Sequence, residues 1–519
     1  MKIILTGIDY LVLVVYVVAL FTFGFYLRSR RVQSGGDIFL GGRSLKWWQI
    51  GFSMFSANVG PMMLIGLSSL GFSQGVVGSN FEWLAWIFLL LLSAFFIPHY
   101  ISTGISTIPQ FLLLRYGRRS YNFLVVYSLF SILFIWLGSA LYAGGIVISE
   151  IFQCSLPEAV VLITVISTSY TAIGGLKAVV RTGVFQSLII IVSSLILTLL
   201  AIGELGKVKD ATGTVPPDFW KLFHASSDPE YSWLAIIAGY PVVAVYYWCA
   251  DQTIVQKVLA AKNVKEGQRG ILFLAALKVI TPLIFVLPGI ICFLLYRDST
   301  TPDKSYLTLV NNLMPQGLRG LCIAALVASL IDTVSSALNS FSTVFTLDVV
   351  TQFVSLKTAD KTTVGKWMTA AGAVLGGGIA VLFSYSDKSL FELTQGLVSI
   401  LAPPLSVVFL GGIFWKRTHR LAAEAVLFGG GFLCLVIGVC YVLNYPYKGF
   451  WPHFLLLSVY IFICLAIVMA LITVTFKAPE KEQVSFSFPA KTASPMDKWL
   501  WAGWGALAFL MITIYIVLN

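Results

Sequence analysis

Apolar runs long enough to cross a bilayer follow one another along nearly the whole chain, separated by short polar connections. A membrane helix needs about 20 such residues. The pattern predicts fourteen spans, at 8–27, 45–74, 80–103, 119–152, 156–175, 177–203, 232–261, 266–297, 318–352, 364–386, 388–415, 418–444, 453–477 and 497–518. Two spans are interrupted. The second carries "SANVGPMM" (56–63) at its centre, and the seventh carries "AGYPVVAVYYWCADQ" (238–252). A stretch too short to span, "TIPQFLLLRYG" (107–117), reads as an interfacial helix with its apolar face in the bilayer.

Composition agrees with a multi-pass membrane protein. The 519 residues are 58% hydrophobic and 11% charged, against roughly 25% charged in soluble domains. The first run has no cleavage-site pattern after it and reads as a retained helix. The net charge of +11 has a local explanation. Basic clusters such as "RSRR" (28–31), "RYGRR" (115–119), "KNVKEGQR" (262–269) and "KRTHR" (416–420) all fall on one side when the connections are alternated. That side is expected to be cytoplasmic, with both termini outside. The charge therefore implies no nucleic-acid partner. Seven cysteines at unpaired spacings suggest neither a disulfide framework nor a zinc site. There is no phosphate-binding G-x-x-x-x-G-K-[ST] loop, and no soluble domain; the largest cytoplasmic loop is 478–496.

The interruptions carry the functional signal. Broken backbone in a bilayer is tolerated only where it lines a cavity or binds something, because unpaired N–H and C=O groups are costly against lipid. Pro61 removes a donor, Gly60 allows unusual dihedrals, and Gly239 and Pro241 are expected to break the seventh span similarly. Five spans separate the two breaks, so the broken helices cross in opposite directions. That is the pattern of two inverted repeats around a midplane site, as in secondary transporters.

The stretches "GGRSLKWWQIGFSMFSANVG" (41–60), "FEW" (81–83), "TIPQFLLLRYG" (107–117), "YTAIGGLKAVVRTGVFQ" (170–186), "YYWCADQTIVQKVLAAK" (246–262), "ALNSFSTVFTLDV" (337–349) and "FLGGIFWKR" (409–417) together resemble the sodium/solute symporter family, in particular its sodium–sugar cotransporter branch. The resemblance implies an all-α, LeuT-type inverted repeat of five plus five helices. It divides the chain into an extra helix and loop (1–44), a first repeat (45–203), an extracellular loop (204–231), a second repeat (232–415) and three C-terminal helices (416–519).

Charges inside spans are functional candidates by default, here Glu82, Asp251, Lys278 and Asp332. Arg181, Asp348 and Glu392 are assigned to span ends, at the interface. By resemblance, Glu82, Lys278 and Gln395 match positions that hydrogen-bond sugar hydroxyls, Tyr247 and Trp248 match an inner gate, and Leu67, Phe81 and Phe391 match an apolar outer lid. Two further sugar-contacting positions of the family fall at Met63 and Ala244, apolar here, which implies a ligand presenting fewer hydroxyls on that side.

The ninth span places Ser329, Asp332, Thr333 and Ser336 on one helical face. In the resembled family this stripe and the first break hold sodium, which implies the carbonyls of Ser56, Val59 and Ser329 and the side chains of Asp332 and Thr333 as ligands. The family usually has a hydroxyl at 332. Some members use an Asp for a second cation, and the matching position here is Gly183. The expectation is a sodium-coupled symporter importing a monosaccharide or similar polyol by alternating access, with no cofactor besides the coupling ion, in the plasma membrane of a bacterium. Alternatives are a symporter of another small solute (an inositol, a sialic acid, an amino acid) or a ligand-gated sensor on the same fold. No catalytic constellation converges, so an enzyme is not expected.

Overall fold

The computed structural model describes residues 5–26, 39–207, 215–216, 218–228, 231–385, 390–447, 449–476 and 496–518. The "RSRR" cluster, most of the 478–496 loop and the side chain of Phe391 lie outside the described residues. What is described is almost wholly helical: α1 (Gly7–Tyr26), α2 (Trp47–Asn58), α3 (Pro61–Gln74), α4 (80–102), α5 (Ile108–Tyr116), α6 (Arg118–Phe152), α7 (Leu156–Leu205), α8 (Ala235–Ala250), α9 (Gln252–Leu259), α10 (Val264–Tyr296), α11 (Ser305–Leu313), α12 (Leu318–Phe353), α13 (Thr358–Phe383), α14 (Leu390–Phe414), α15 (420–442), α16 (Phe454–Thr475) and α17 (Lys498–Val517). Among the described residues ten helices are long and apolar enough to cross a membrane, with three shorter apolar helices beside them.

The first expected break is present. The last rung of α2 is the N–H of Val59 donating to Phe55 O at 2.8 Å. Val59 (φ −83°, ψ 62°) and Gly60 (φ −79°, ψ 174°) are not helical, and α3 restarts at Pro61. Carbonyls from Ser56 onward therefore leave the helical ladder.

The second break is present but displaced. Gly239 and Pro241 do not interrupt α8, because a π-helical turn at Ala235–Gly239 absorbs the proline's missing donor. The chain breaks at Asp251 (φ −73°, ψ 126°) instead. Its carboxylate caps α9 by accepting from the N–H of Thr253 (2.8 Å) and Ile254 (3.4 Å).

Three other expectations are modified. The spans 156–175 and 177–203 are joined in the single 50-residue helix α7. Helix α5 presents its apolar face to protein: Phe111 stacks on Phe409 with centroids 5.4 Å apart, and the hydroxyl of Tyr116 donates to Val408 O at 3.1 Å. Asp348 is fully buried and accepts from Gln110 Nε2 (3.0 Å) and the Tyr121 hydroxyl (3.1 Å), so it ties α12 to α5 and α6.

The broken helices sit against the long helices that position the site. Helix α2 packs on α7, α10 and α12, and α3 packs on α10. The approach of α3 to α10 is close enough that a Cβ at Gly289 or Gly71 would collide with the facing backbone.

Candidate functional site

Two groups of polar side chains meet the break between α2 and α3, one on each side. The first is built around an ion pair. Glu82 at the start of α4 and Lys278 in α10 are each 1% exposed and approach to 2.5 Å. A charge at membrane depth persists only with such a partner. The Lys278 ammonium also donates to Asn58 Oδ1, and Asn58 Nδ2 donates to the Tyr247 hydroxyl at 2.6 Å. The same ammonium lies 5.2 Å from the Trp248 ring centroid, within cation–π range. A continuous network thus runs from α4 through α10 and the tip of α2 to α8.

Tyr247 is held from both sides. Its ring stacks on Trp136 of α6 (5.3 Å, 30°) and meets Trp248 edge-on (4.9 Å, 77°). Trp136 Nε1 donates to Asp251 Oδ2, and so does the Tyr246 hydroxyl, each at 3.0 Å. Asp251 is therefore a structural anchor: it caps α9 and locks the aromatic layer.

Above this layer lies a cavity lined by Asn58, Met63, Phe81, Glu82, Ala244, Tyr247, Trp248 and Gln395, with Trp136, Tyr240, Thr394 and Ser399 among the rest of its wall. The structure thus gathers seven of the expected positions into one chamber. Met63 and Ala244 face it as apolar patches. Two buried oxygens on its wall, Glu82 Oε1 and Ser399 Oγ, have no hydrogen-bond partner among the described residues. Lys278 stands behind the wall, engaged by Glu82 and Asn58, and Leu67 is buried away from it. Asn58, Trp136 and Ser399 were not singled out from sequence; an Asn beside Gly-Pro reads as backbone punctuation until the fold brings Lys278 and Tyr247 to its amide.

The second group lies between α2, α7 and α12. Asp332 is 1% exposed; its Oδ2 accepts from the Ser56 hydroxyl at 2.7 Å, while Oδ1 has no hydrogen-bond partner among the described residues. Pro61 has no N–H to give the carbonyl of Ala57, and the Thr333 hydroxyl donates to it instead at 3.3 Å, and to Ser329 O at 2.9 Å. The break and the polar stripe are thereby in direct contact. Gly60 permits this: a Cβ there would stand 2.6 Å from Thr333 Oγ1. Gly183 of α7 closes the other side, where a Cβ would stand 2.7 Å from Ser56 Oγ and 3.2 Å from Asp332 Oδ1. The carboxylate of Asp332 thus lies directly against the Cα of Gly183. An orphaned carboxylate oxygen beside released carbonyls and hydroxyls is a hard, all-oxygen donor set, which suits a small alkali cation.

Residues 38–430 match the model of the sodium:solute symporter family. A sodium/glucose cotransporter of Vibrio parahaemolyticus is 32% identical over 462 residues, covering 81% of this chain and 83% of that protein. Sodium/glucose cotransporter 1 of Ovis aries is 32% identical over 475 residues, 83% of this chain and 71% of that protein. In architecture the chain is similar to a Na+-coupled sialic acid symporter in a substrate-bound outward-open state (TM-score 0.78, 22% identity, 91% of this chain and 99% of that one). It is also similar to the nucleobase–cation symporter Mhp1 in a closed conformation (TM-score 0.58, 15% identity, 92% and 100%). These likenesses identify the LeuT-type fold.

Proposed function

The chain belongs to the sodium:solute symporter family and is a sodium-coupled, multi-pass membrane symporter, and from that premise we propose that it imports a monosaccharide or similar polyol through the chamber between α3, α4, α8 and α14. The observation that carries this reading is Glu82. Its Oε2 is held by Lys278 while Oε1 remains an unpaired buried acceptor on the chamber wall. Hydroxyls both donate and accept, so a polyol satisfies such an oxygen together with Gln395 and Ser399. Tyr247 and Trp248 supply the ring face beneath it, as aromatic platforms do for the apolar face of a sugar. Met63 and Ala244 favour a ligand with a bare face on their side, which supports a less hydroxylated solute as the second reading.

In the same proposal sodium binds to the carbonyls of Ser56, Val59 and Ser329 and the side chains of Asp332 and Thr333. The two sites share the α2–α3 break, so filling one stiffens the backbone of the other. One cation moving down about 100 mV supplies about 2.3 kcal/mol, and a tenfold gradient adds about 1.4 kcal/mol. A 1:1 coupling then sustains roughly several-hundred-fold accumulation. A helix before two inverted repeats (45–203 and 232–415) and three helices after them complete the proposal, with the basic loops cytoplasmic. Uptake into proteoliposomes from a panel of sugars, polyols and amino acids tests it. Accumulation of a hydroxyl-rich solute that collapses when sodium is replaced by potassium is expected; accumulation of an amino acid alone removes the polyol assignment.

A further inference from the structure

Lys257 in α9 is as deeply buried as Lys278, at 1% exposed, yet among the described residues it has no carboxylate within ion-pair distance. Its ammonium donates to Ser336 Oγ at 3.2 Å. Ser336 is one helical turn beyond Asp332 on the same face of α12, and α9 packs against both α12 and α2. Two buried carboxylates are placed near it by the fold, Asp332 on α12 and Asp251 at the N-cap of α9 itself. They are not equivalent partners. Asp251 is saturated by two backbone N–H groups, an indole and a phenol. Asp332 has one hydroxyl donor and one orphaned oxygen. Lys278, the other buried cation nearby, is committed to Glu82.

We propose that Lys257 is a tethered cation that balances Asp332 while the sodium site is empty and retreats to Ser336 when sodium takes the carboxylate. This rests on the reading of Asp332 as a sodium ligand. The charge arithmetic motivates it. Where residue 332 is a hydroxyl, the empty site is neutral and the loaded site carries one positive charge. A carboxylate alone would leave the empty carrier with a bare buried anion, costly in itself and costly to reorient across a membrane potential. Adding Lys257 makes the empty site neutral again, and sodium again adds one charge. The side chain's flexible stem and the hydroxyl of Ser336, one turn from the carboxylate, give the ammonium two resting places within reach.

The consequence is competition. If the ammonium holds the carboxylate most of the time, the sodium-competent fraction is small and apparent affinity falls in proportion. Replacing Lys257 by Met is expected to lower half-saturating sodium about tenfold, for a competent fraction near one in ten, and to enlarge the sodium-dependent rise in thermal stability. Lys257→Arg keeps the charge and is expected to stay near the parent value. Net uptake by Lys257→Met should slow more than sodium-loaded exchange, because only net uptake requires the empty carrier to reorient. The double variant Lys257→Met, Asp332→Ser restores a neutral empty site and should recover net uptake. An unchanged sodium half-saturation in folded Lys257→Met overturns the proposal, and leaves Lys257 as an anchor of α9 on α12. Where that variant is too unstable for transport, the sodium-dependent shift in its unfolding temperature decides the question: a shift no larger than the parent's also overturns it. Asp332→Asn is the separating control. If it leaves the sodium half-saturation unmoved, the ligand assignment of Asp332 fails, independently of Lys257.

Discussion

At the scale of single residues, the buried Glu82–Lys278 pair is expected to govern stability and, under the proposed function, substrate binding as well. Each is the other's counter-charge and both are 1% exposed, so removing one leaves a buried uncompensated charge. Glu82→Gln is expected to destabilise the protein by about 3–5 kcal/mol, read as a lower unfolding midpoint in detergent. Glu82→Gln combined with Lys278→Met should recover much of that stability but not substrate binding. Recovery of both would show that the pair only holds the fold. Lys278→Ala for the same reason should weaken binding and stability together. Met63 makes a subtler statement, being one of the apolar faces of the chamber. Met63→Gln adds a two-sided hydrogen-bonding group there and should shift preference toward more hydroxylated hexoses by about two- to tenfold, the worth of one neutral hydrogen bond. An unchanged rank order across a sugar panel would show that the ligand does not touch this wall.

At the scale of elements, the two breaks behave differently. The α2–α3 break exposes its carbonyls to neighbouring side chains, whereas the α8–α9 break is sealed by Asp251. Four donors converge on that carboxylate. Asp251→Ala removes an N-cap worth about 1 kcal/mol and orphans the Trp136 indole at about 1–3 kcal/mol, whereas the Tyr246 hydroxyl keeps Ser131 Oγ at 2.7 Å. A total loss of about 2–4 kcal/mol is expected from those terms, with Asp251→Asn losing less because the amide still accepts. Thermal unfolding measures both. Because Trp136 stacks on Tyr247, substrate affinity should fall with Asp251→Ala while sodium half-saturation moves less. An equal effect on both would place Asp251 in the cation path.

At the scale of the whole molecule, the sites are joined by packing between helices distant in sequence: α2 with α10 and α12, α4 with α10 and α8. Sodium that binds the folded protein alone must therefore stabilise the entire bundle. At one hundred times its dissociation constant it should add about 2.7 kcal/mol, and potassium at the same ionic strength should add none of this. Equal stabilisation by the two ions would remove the sodium site.

Much of this was already written in the chain. Apolar runs determine that the protein crosses a membrane repeatedly, since backbone in lipid must bond within its own helix. Pro61 beside Gly60 announces the first break, because a missing N–H is a local fact that no tertiary context can restore. The hydroxyl stripe on α12 is legible because 3.6-residue periodicity alone puts residues 329, 332, 333 and 336 on one face. What tertiary structure decided is which partner each polar group meets. Gly239 and Pro241 look like a break, but a π turn at Ala235–Gly239 absorbs the defect, and only burial against α6 makes Asp251 the terminus. Asp348 sits where a span end was expected and is instead enclosed by α5 and α6. Lys257 lies in a motif that the sequence shows plainly, yet nothing local reveals that its ammonium ends one helical turn from Asp332, 75 positions along the chain. Periodicity and proline act over a few residues of backbone, whereas charge pairing acts through space between helices, and the distances that set it exist only once the chain is packed.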